Sequence, residues 1–229
     1  FPGELNQLSD NSGESIGVDT NTNGFLDIGD TLRGTMNWQT IEDLTGGAPT
    51  NVLGAGGVNE LTAIFETQVL DRTFVSIGAD GILDTADDLY NFVFGANSAF
   101  EAQYGAGALV AFFEDPTPDY SRTGTIANAE TTATNGLPGP VMTWGFGGDA
   151  DEQWVASGAP QGPSTLEGIP VGSGVGAFQF QLSILTENFG SIDFGQVNAL
   201  FTGVGGDGLI DVNASGEVLG TLGANTEYS

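Results

Sequence analysis

The stretch Phe178-Gln-Phe-Gln-Leu-Ser-Ile184 alternates apolar and polar residues without a break. Successive side chains of a strand point to opposite faces, so Phe178, Phe180, Leu182 and Ile184 are expected to face a core, and Gln179, Gln181 and Ser183 to face away from it. A helix would scatter the same residues around its circumference. Other segments read the same way. Glu60 to Leu70 (ELTAIFETQVL) puts Leu61, Ala63, Phe65 and Val69 on one face. Ala108 to Phe113 (ALVAFF) is apolar throughout, as expected of a strand buried on both faces. Thr31 to Leu44, Leu89 to Gly95 and Val141 to Phe146 are rich in β-formers, with weaker signals near Ile192 to Phe201 and Glu217 to Leu222. Helix signals are confined to Asn97 to Tyr104, capped by Asn97 or Ser98, and Thr125 to Thr134. About eight short strands with glycine-rich turns predict an all-β fold, a β-sandwich or jelly roll with one or two short helices.

The composition supports a packed core. Hydrophobic residues make up 39% of the 229 positions and include fifteen Phe, enough for a folded domain. The 37 glycines follow no three-residue period, which excludes collagen and suits tight turns. No boundary divides the chain, so residues 1–229 are read as a single β-rich domain. Residues 1–30 form a polar, turn-rich leading segment, and Ala156 to Gly174 is read as a long loop.

Charge and missing residue types exclude several functions. Thirty Asp and Glu stand against three basic residues, Arg33, Arg72 and Arg122, a net charge of −27. Nucleic acid and anionic membrane both need a cationic surface, so neither is an expected partner. A compact body with this charge repels itself, and bound cations relieve the repulsion. The absence of Cys excludes disulfides and thiol chemistry, and the absence of His removes the usual base near neutral pH. No apolar run approaches membrane-spanning length, and no charged n-region and apolar h-region open the chain, so it reads as a mature secreted sequence.

Asp19 to Asp30 (DTNTNGFLDIGD) carries the clearest chemistry. Numbered as a twelve-residue calcium loop, it has Asp19, Asn21 and Asn23 at positions 1, 3 and 5. Gly24 stands at the sharp turn, Phe25 at the backbone-carbonyl position, Asp27 at position 9 and Asp30 at position 12. Oxygen side chains at this spacing converge on one hard cation, and Leu26 is expected to pack inward. Asp30 replaces the usual Glu, and its shorter side chain implies weaker closure. The core of the loop recurs as Asp80-Gly81-Ile82-Leu83-Asp84, continuing to Asp87 and Asp88. It recurs again as Asp207-Gly208-Leu209-Ile210-Asp211, continuing to Asn213. In each copy the two apolar residues are expected to anchor an acidic turn to the core. Ca2+ is the expected ion. Asp149, Asp151 and Glu152 read as a solvated loop.

The first loop resembles those of the EF-hand and dockerin families over its twelve residues, but not over its flanks. That resemblance implies ion geometry without the helix-loop-helix fold. Gly78 to Asp88 (GADGILDTADD) is similar to calcium repeats of secreted bacterial surface proteins. Together with Gly107 to Tyr120 (GALVAFFEDPTPDY) it resembles secreted proteins of the exosortase-sorted, PEP-CTERM type, which implies an extracellular or biofilm-matrix location and no particular activity.

Three functions follow from this inventory. An enzyme would have to work with carboxylates alone, and nothing singles out a pair among Glu66, Glu101, Glu114 and Asp115. A calcium-dependent glycan-binding or adhesion module would need an exposed aromatic residue beside an ion site; Trp144 and Trp154, flanking Asp149 and Asp151, form such a grouping, and an extracellular polysaccharide would be the partner. The expectation adopted is a non-enzymatic, extracellular, calcium-stabilised structural protein. It self-assembles with copies of itself into a filament, surface layer or matrix, with Phe1 to Leu8 or Val218 to Tyr228 as candidate donated strands.

Overall fold

A computed structural model describes residues 6–18, 20–23, 25–43, 60–85, 88–115, 119–121, 126–134, 137, 139–148, 150–158, 176–187 and 211–218, with backbone alone for 6–17, 38–43, 176–177, 187 and 211–218. Nine strands and two helices follow in chain order. They are β1 (Asn6–Val18), β2 (Thr31–Asp43), β3 (Glu60–Ser76), β4 (Leu89–Ala96), α1 (Ser98–Tyr104), β5 (Ala108–Asp115), α2 (Ile126–Thr134), β6 (Met142–Gly145), β7 (Gln153–Gly158), β8 (Gly176–Glu187) and β9 (Asp211–Val218).

The strands build one antiparallel sheet of seven rows, and the register explains why seven and not nine. Thr67 and Gln68 of β3 pair with Leu32 and Thr31 of β2 on one edge and with Ala96 and Gly95 of β4 on the other. Phe65 of β3 pairs with Gly34 of β2 and with Val110 of β5. So β4 and β5 lie end to end along the same edge of β3 and form one row, interrupted by α1. The next row is β6 and β7, end to end along β8: Gly145 pairs with Ser183, and Gln153 with Gln181. The rows therefore run β1, β2, β3, β4 with β5, β6 with β7, β8, β9, in chain order. Among the described residues this is a single up-and-down meander; the two facing sheets of a sandwich or jelly roll are not among them.

The two interruptions meet. Phe146 N donates to Gly107 O at 2.9 Å, bridging the gaps in the fourth and fifth rows. Glycine is required there, because a Cβ on Gly145 would lie 1.9 Å from Gly107 O.

Most of the core lies on one face. Leu61, Ala63, Phe65 and Val69 of β3 share it, as the alternation predicted, with Phe92, Phe94, Phe112, Trp144, Trp154, Phe180 and Leu182. The Phe65 and Trp154 rings lie 5.4 Å apart between centroids although a whole row separates their strands. Adjacent rows are ~4.8 Å apart, so the sheet curls around this face. The other face holds a smaller cluster of Phe100, Ala108, Ala111 and Phe113 under the helices. Ala108 to Phe113 is buried on both faces, as its apolar run predicted.

Both helices fall where the sequence put them. Asn97 Oδ1 caps α1 by accepting from Ala99 N at 2.8 Å. Other expectations change. The leading segment is a thirteen-residue strand, β1, paired along its length with β2. Asn6 to Leu8 of the candidate donor segment thus pair within their own chain. β7 occupies the start of the expected loop at Ala156. Asp211 and Asn213 belong to β9, opposite Ser183 and Gln181. The expected strand at 192–201 and the donor segment beyond Val218 lie outside the described residues.

Gly145→Ala is expected to destabilise the fold by at least ~1–3 kcal/mol, since the carbonyl it meets belongs to backbone and cannot rotate away. Urea midpoints measure this; a midpoint equal to that of the native chain would mean that the fourth and fifth rows do not meet at Gly107.

Candidate functional site

The first two acidic motifs are hairpin loops at the same end of the sheet. Val18 pairs with Thr31, so residues 19–30 connect β1 to β2. Ser76 pairs with Leu89, so residues 77–88 connect β3 to β4. The loops share one closing device. Asp30 accepts from Thr20 N at 2.8 Å, Thr20 Oγ1 at 2.7 Å and Asp27 N at 2.7 Å. Asp88 accepts from Gly78 N at 2.7 Å and Thr85 N at 3.1 Å, the same ten- and three-residue spacings. Both carboxylates are buried, 0% and 2% exposed. Each meets the otherwise orphaned N–H groups of its turn, which is what allows a buried charge.

Further hydrogen bonds shape the turns. Asn21 Oδ1 accepts from Asn23 N at 3.0 Å and Asn23 Oδ1 from Phe25 N at 2.9 Å. Asp80 Oδ1 does the same for Ile82 N at 2.8 Å. Asp/Asn side chains that bond two residues ahead form tight turns by themselves. The copies differ in their anchors. Leu26 is buried in the core, as expected, but Ile82 and Leu83 are exposed. β3 runs past the start of β2, so the second loop stands beyond the core that was expected to receive these side chains.

Arg72 of β3 joins the two loops. Its guanidinium pairs with Asp27 through one terminal nitrogen and with Asp84 through the other. It lies 4.1 Å from the centroid of the Tyr90 ring, and the Tyr90 hydroxyl donates to Asp84 at 2.7 Å. Burial opposes the charge on Asp27, but the hydrogen bond from Asn23 and the pairing with Arg72 outweigh it and hold its pKa below the ordinary value. Burial together with the Asp84 hydrogen bond raises the Tyr90 pKa. Asp27 and Asp84 occupy matching places in the two motifs, so the repeat becomes a spatial pair. No pattern in the sequence assigned Arg72 to either loop.

Asn21, Asn23 and Asp27 are the other described motif side chains of the first loop that carry oxygen, and Asp80 and Asp84 are those of the second. All are oxygen donors of the kind a hard cation takes. Asp30 and Asp88 close the loops onto their own backbone. Asp19, Asp87 and Asp207 lie outside the described residues. Asp211 and Asn213 do not join this pair: β9 lies three rows beyond β4, and Asp211 is level with Ser183 and Gly145, midway along the sheet.

The opposite end of the sheet, where β3 starts, holds a group the sequence did not reveal. The carboxylates of Glu60, Asp115 and Asp119 lie within 4.8 Å of one another, a spacing that suits an oxygen-preferring cation. Glu60 and Asp115 are direct cross-strand partners, fifty-five positions apart in the chain. Glu60 also accepts from Tyr120 N at 2.9 Å, Asp119 N at 3.2 Å and Asn37 Nδ2 at 3.2 Å. Burial, then the nearby Asp115 charge, lifts its pKa above the ordinary value despite those bonds. Trp144 and Trp154, proposed sugar platforms, are core residues only 1% and 4% exposed, and neither can stack on an external ring. No protein-family model, curated protein or solved structure matches the chain.

Asp30→Asn is expected to cost about 1–3 kcal/mol in chelator, because an amide cannot accept through both of its heavy atoms. The exposed Asp80→Asn should cost under ~0.5 kcal/mol. Equal losses in denaturant melts would refute the assigned role of Asp30. A raised carboxyl pKa favours the protonated folded state. The stability linked to Glu60 is therefore present at low pH and lost as pH rises from its unfolded pKa through its raised folded pKa. Glu60→Gln should gain stability relative to the native chain across that window; melting temperatures that run parallel in pH would contradict it.

Proposed function

We propose that the chain is an extracellular structural protein whose paired acidic loops take up calcium and which associates with copies of itself at that end of the sheet. One observation carries this reading. The exposed large apolar side chains of the described residues gather around the two loops: Ile28, Ile77, Ile82 and Leu83 on the loops, and Leu70, Phe74, Val75 and Val93 on the neighbouring parts of β3 and β4. Exposed apolar side chains gathered at one end mark an interaction surface. Here they share the loops with the carboxylates of Asp27, Asp80 and Asp84, in a chain of net charge −27. Two copies cannot bring such patches together until cations screen or bind the carboxylates. Calcium would then act as the switch for association, with Asn21, Asn23, Asp27, Asp80, Asp84 and the Phe25 carbonyl as the described oxygen donors.

The open sheet supports the same reading. Among the described residues the outer edges of β1 and β9 have no partner strand. Unpaired edges at both ends of a sheet allow growth by strand addition into a filament, layer or matrix. No described helix is long and apolar enough to cross a membrane.

The test is particle size by light scattering, with calcium and then with excess chelator, for the native chain and for Ile82→Ser with Leu83→Ser. The native chain should form large particles in calcium and disperse in chelator. The double variant should keep its calcium-dependent rise in melting temperature and lose association. A native chain that stays monomeric in both conditions would overturn the proposal and turn attention to calcium-dependent polysaccharide binding.

A further inference from the structure

A cavity of about 350 Å³ opens on the helix-covered face of the sheet, between α1, α2 and β3. Its apolar wall is Ile64, Phe100, Ala127 and the Tyr104 ring. Its polar wall is Glu66 and Glu130, with Gln103, Thr131 and Thr134.

The carboxylates bring acceptors alone, and both threonine hydroxyl hydrogens are already committed. Thr131 Oγ1 donates to Ala127 O at 2.7 Å, and Thr134 Oγ1 to Glu130 O at 2.9 Å. Gln103 Nε2 donates to the Tyr104 hydroxyl at 2.7 Å. The lining contains no basic residue. Arg33 stands outside it, directly opposite Glu66 across the β2–β3 pair, and its ion pair goes to Glu130 at 3.2 Å. One guanidinium thus stands against two carboxylates and pairs with Glu130, which leaves a net negative charge beside an apolar wall. Burial, opposed by Arg33 and reinforced by the charge of Glu66, raises the Glu130 pKa; burial and the charges of Glu130 and Glu66 raise that of Tyr104.

The geometry points to a binding site for a primary ammonium on a short apolar stem. An ammonium offers three donors and no acceptor, the complement of this lining. Its charge neutralises the pair of Glu66 and Glu130, and the Tyr104 ring adds a cation–π face. The alkyl stem covers Ile64 and Phe100. A sugar fits less well, since each hydroxyl also needs a donor. The 229 residues contain no lysine, so none of them can supply the side-chain ammonium of a lysine. The site stands apart from the calcium reading, and its test is run in chelator.

The probe is n-pentylamine, with 1-pentanol as the neutral match, followed by amide chemical shifts at fixed salt. A chain of this charge attracts amines everywhere, so the decisive signal is a saturable shift confined to Gln103, Tyr104, Ala127 and Thr131. Pentylamine should give it and pentanol should not. Glu66→Gln should weaken binding roughly tenfold, as for one lost charge-assisted hydrogen bond. Arg33→Gln should strengthen it by releasing Glu130. Nα-acetyl-lysine amide separates the sources: shifts equal to those of pentylamine assign the groove to a lysine side chain, and weaker ones to a free amine. Equal binding of pentanol, no saturable shift in the groove, or an unchanged affinity in Glu66→Gln would each overturn the inference. If Glu130→Gln fails to fold, Glu66→Gln alone decides.

Discussion

One edge of β3 serves two strands, and the rest of the molecule is arranged around that fact. β3 is seventeen residues long, but β4 and β5 are eight each and share its edge end to end. The chain between them must leave the sheet and return, and it does so as α1. The next row has a matching gap, filled by the turn from Phe146 to Glu152, where Gly147 N and Gly148 N are held by the Glu152 carboxylate. The gaps align because antiparallel pairing fixes the level of each row against its neighbour. The cavity beside α1 follows from the same excursion, since a helix cannot lie flush on a sheet it has just left.

The length of β3 also creates the loop end. Past Gln68 it loses β2 as a partner, and the first loop takes over: Gly29 N donates to Val69 O at 2.9 Å, and Val69 N to Asp30 O at 2.8 Å. Beyond that, β3 runs on as the outer edge of the sheet, paired on its other side with β4, which β7 flanks in turn. An edge without a partner strand leaves its N–H and C=O groups unpaired. Arg72 ties this edge to the first loop. In a chain with ten acids for every base, both described arginines tie separate elements together: Arg72 joins two loops through Asp27 and Asp84, and Arg33 holds α2 to β2 through Glu130.

Much of the strand content was legible because alternation is a local property. Phe180 and Leu182 are buried, and Phe178 and Ile184 pack against the same cluster, as their spacing implied. Ser183 was expected to face away from the core yet is fully buried, and the turn after β6 lies against it: a Cβ on Gly147 would be 3.2 Å from Ser183 Cβ. β7 was missed because one fully buried residue, Trp154, in six leaves no period; it is a strand because β4 and β8 flank it. β1 was missed because its composition is that of a turn, and its pairing with β2 supplies what propensity does not.

The sequence alone determined the β class, the two helices and their places, the acidity, and the recurrence of Asn/Asp-Gly-apolar-apolar-Asp. Each is a matter of composition or of residues a few positions apart. Tertiary structure alone decided that two copies of the motif become neighbours while Asp211 lies apart on β9, three rows beyond β4. It also decided that Asp27 and Asp84 share Arg72, that Glu60 meets Asp115, and that both described tryptophans are core rather than surface. These depend on which rows pair and at what level. Register is set by the summed burial of whole strands, a quantity no short window of sequence contains.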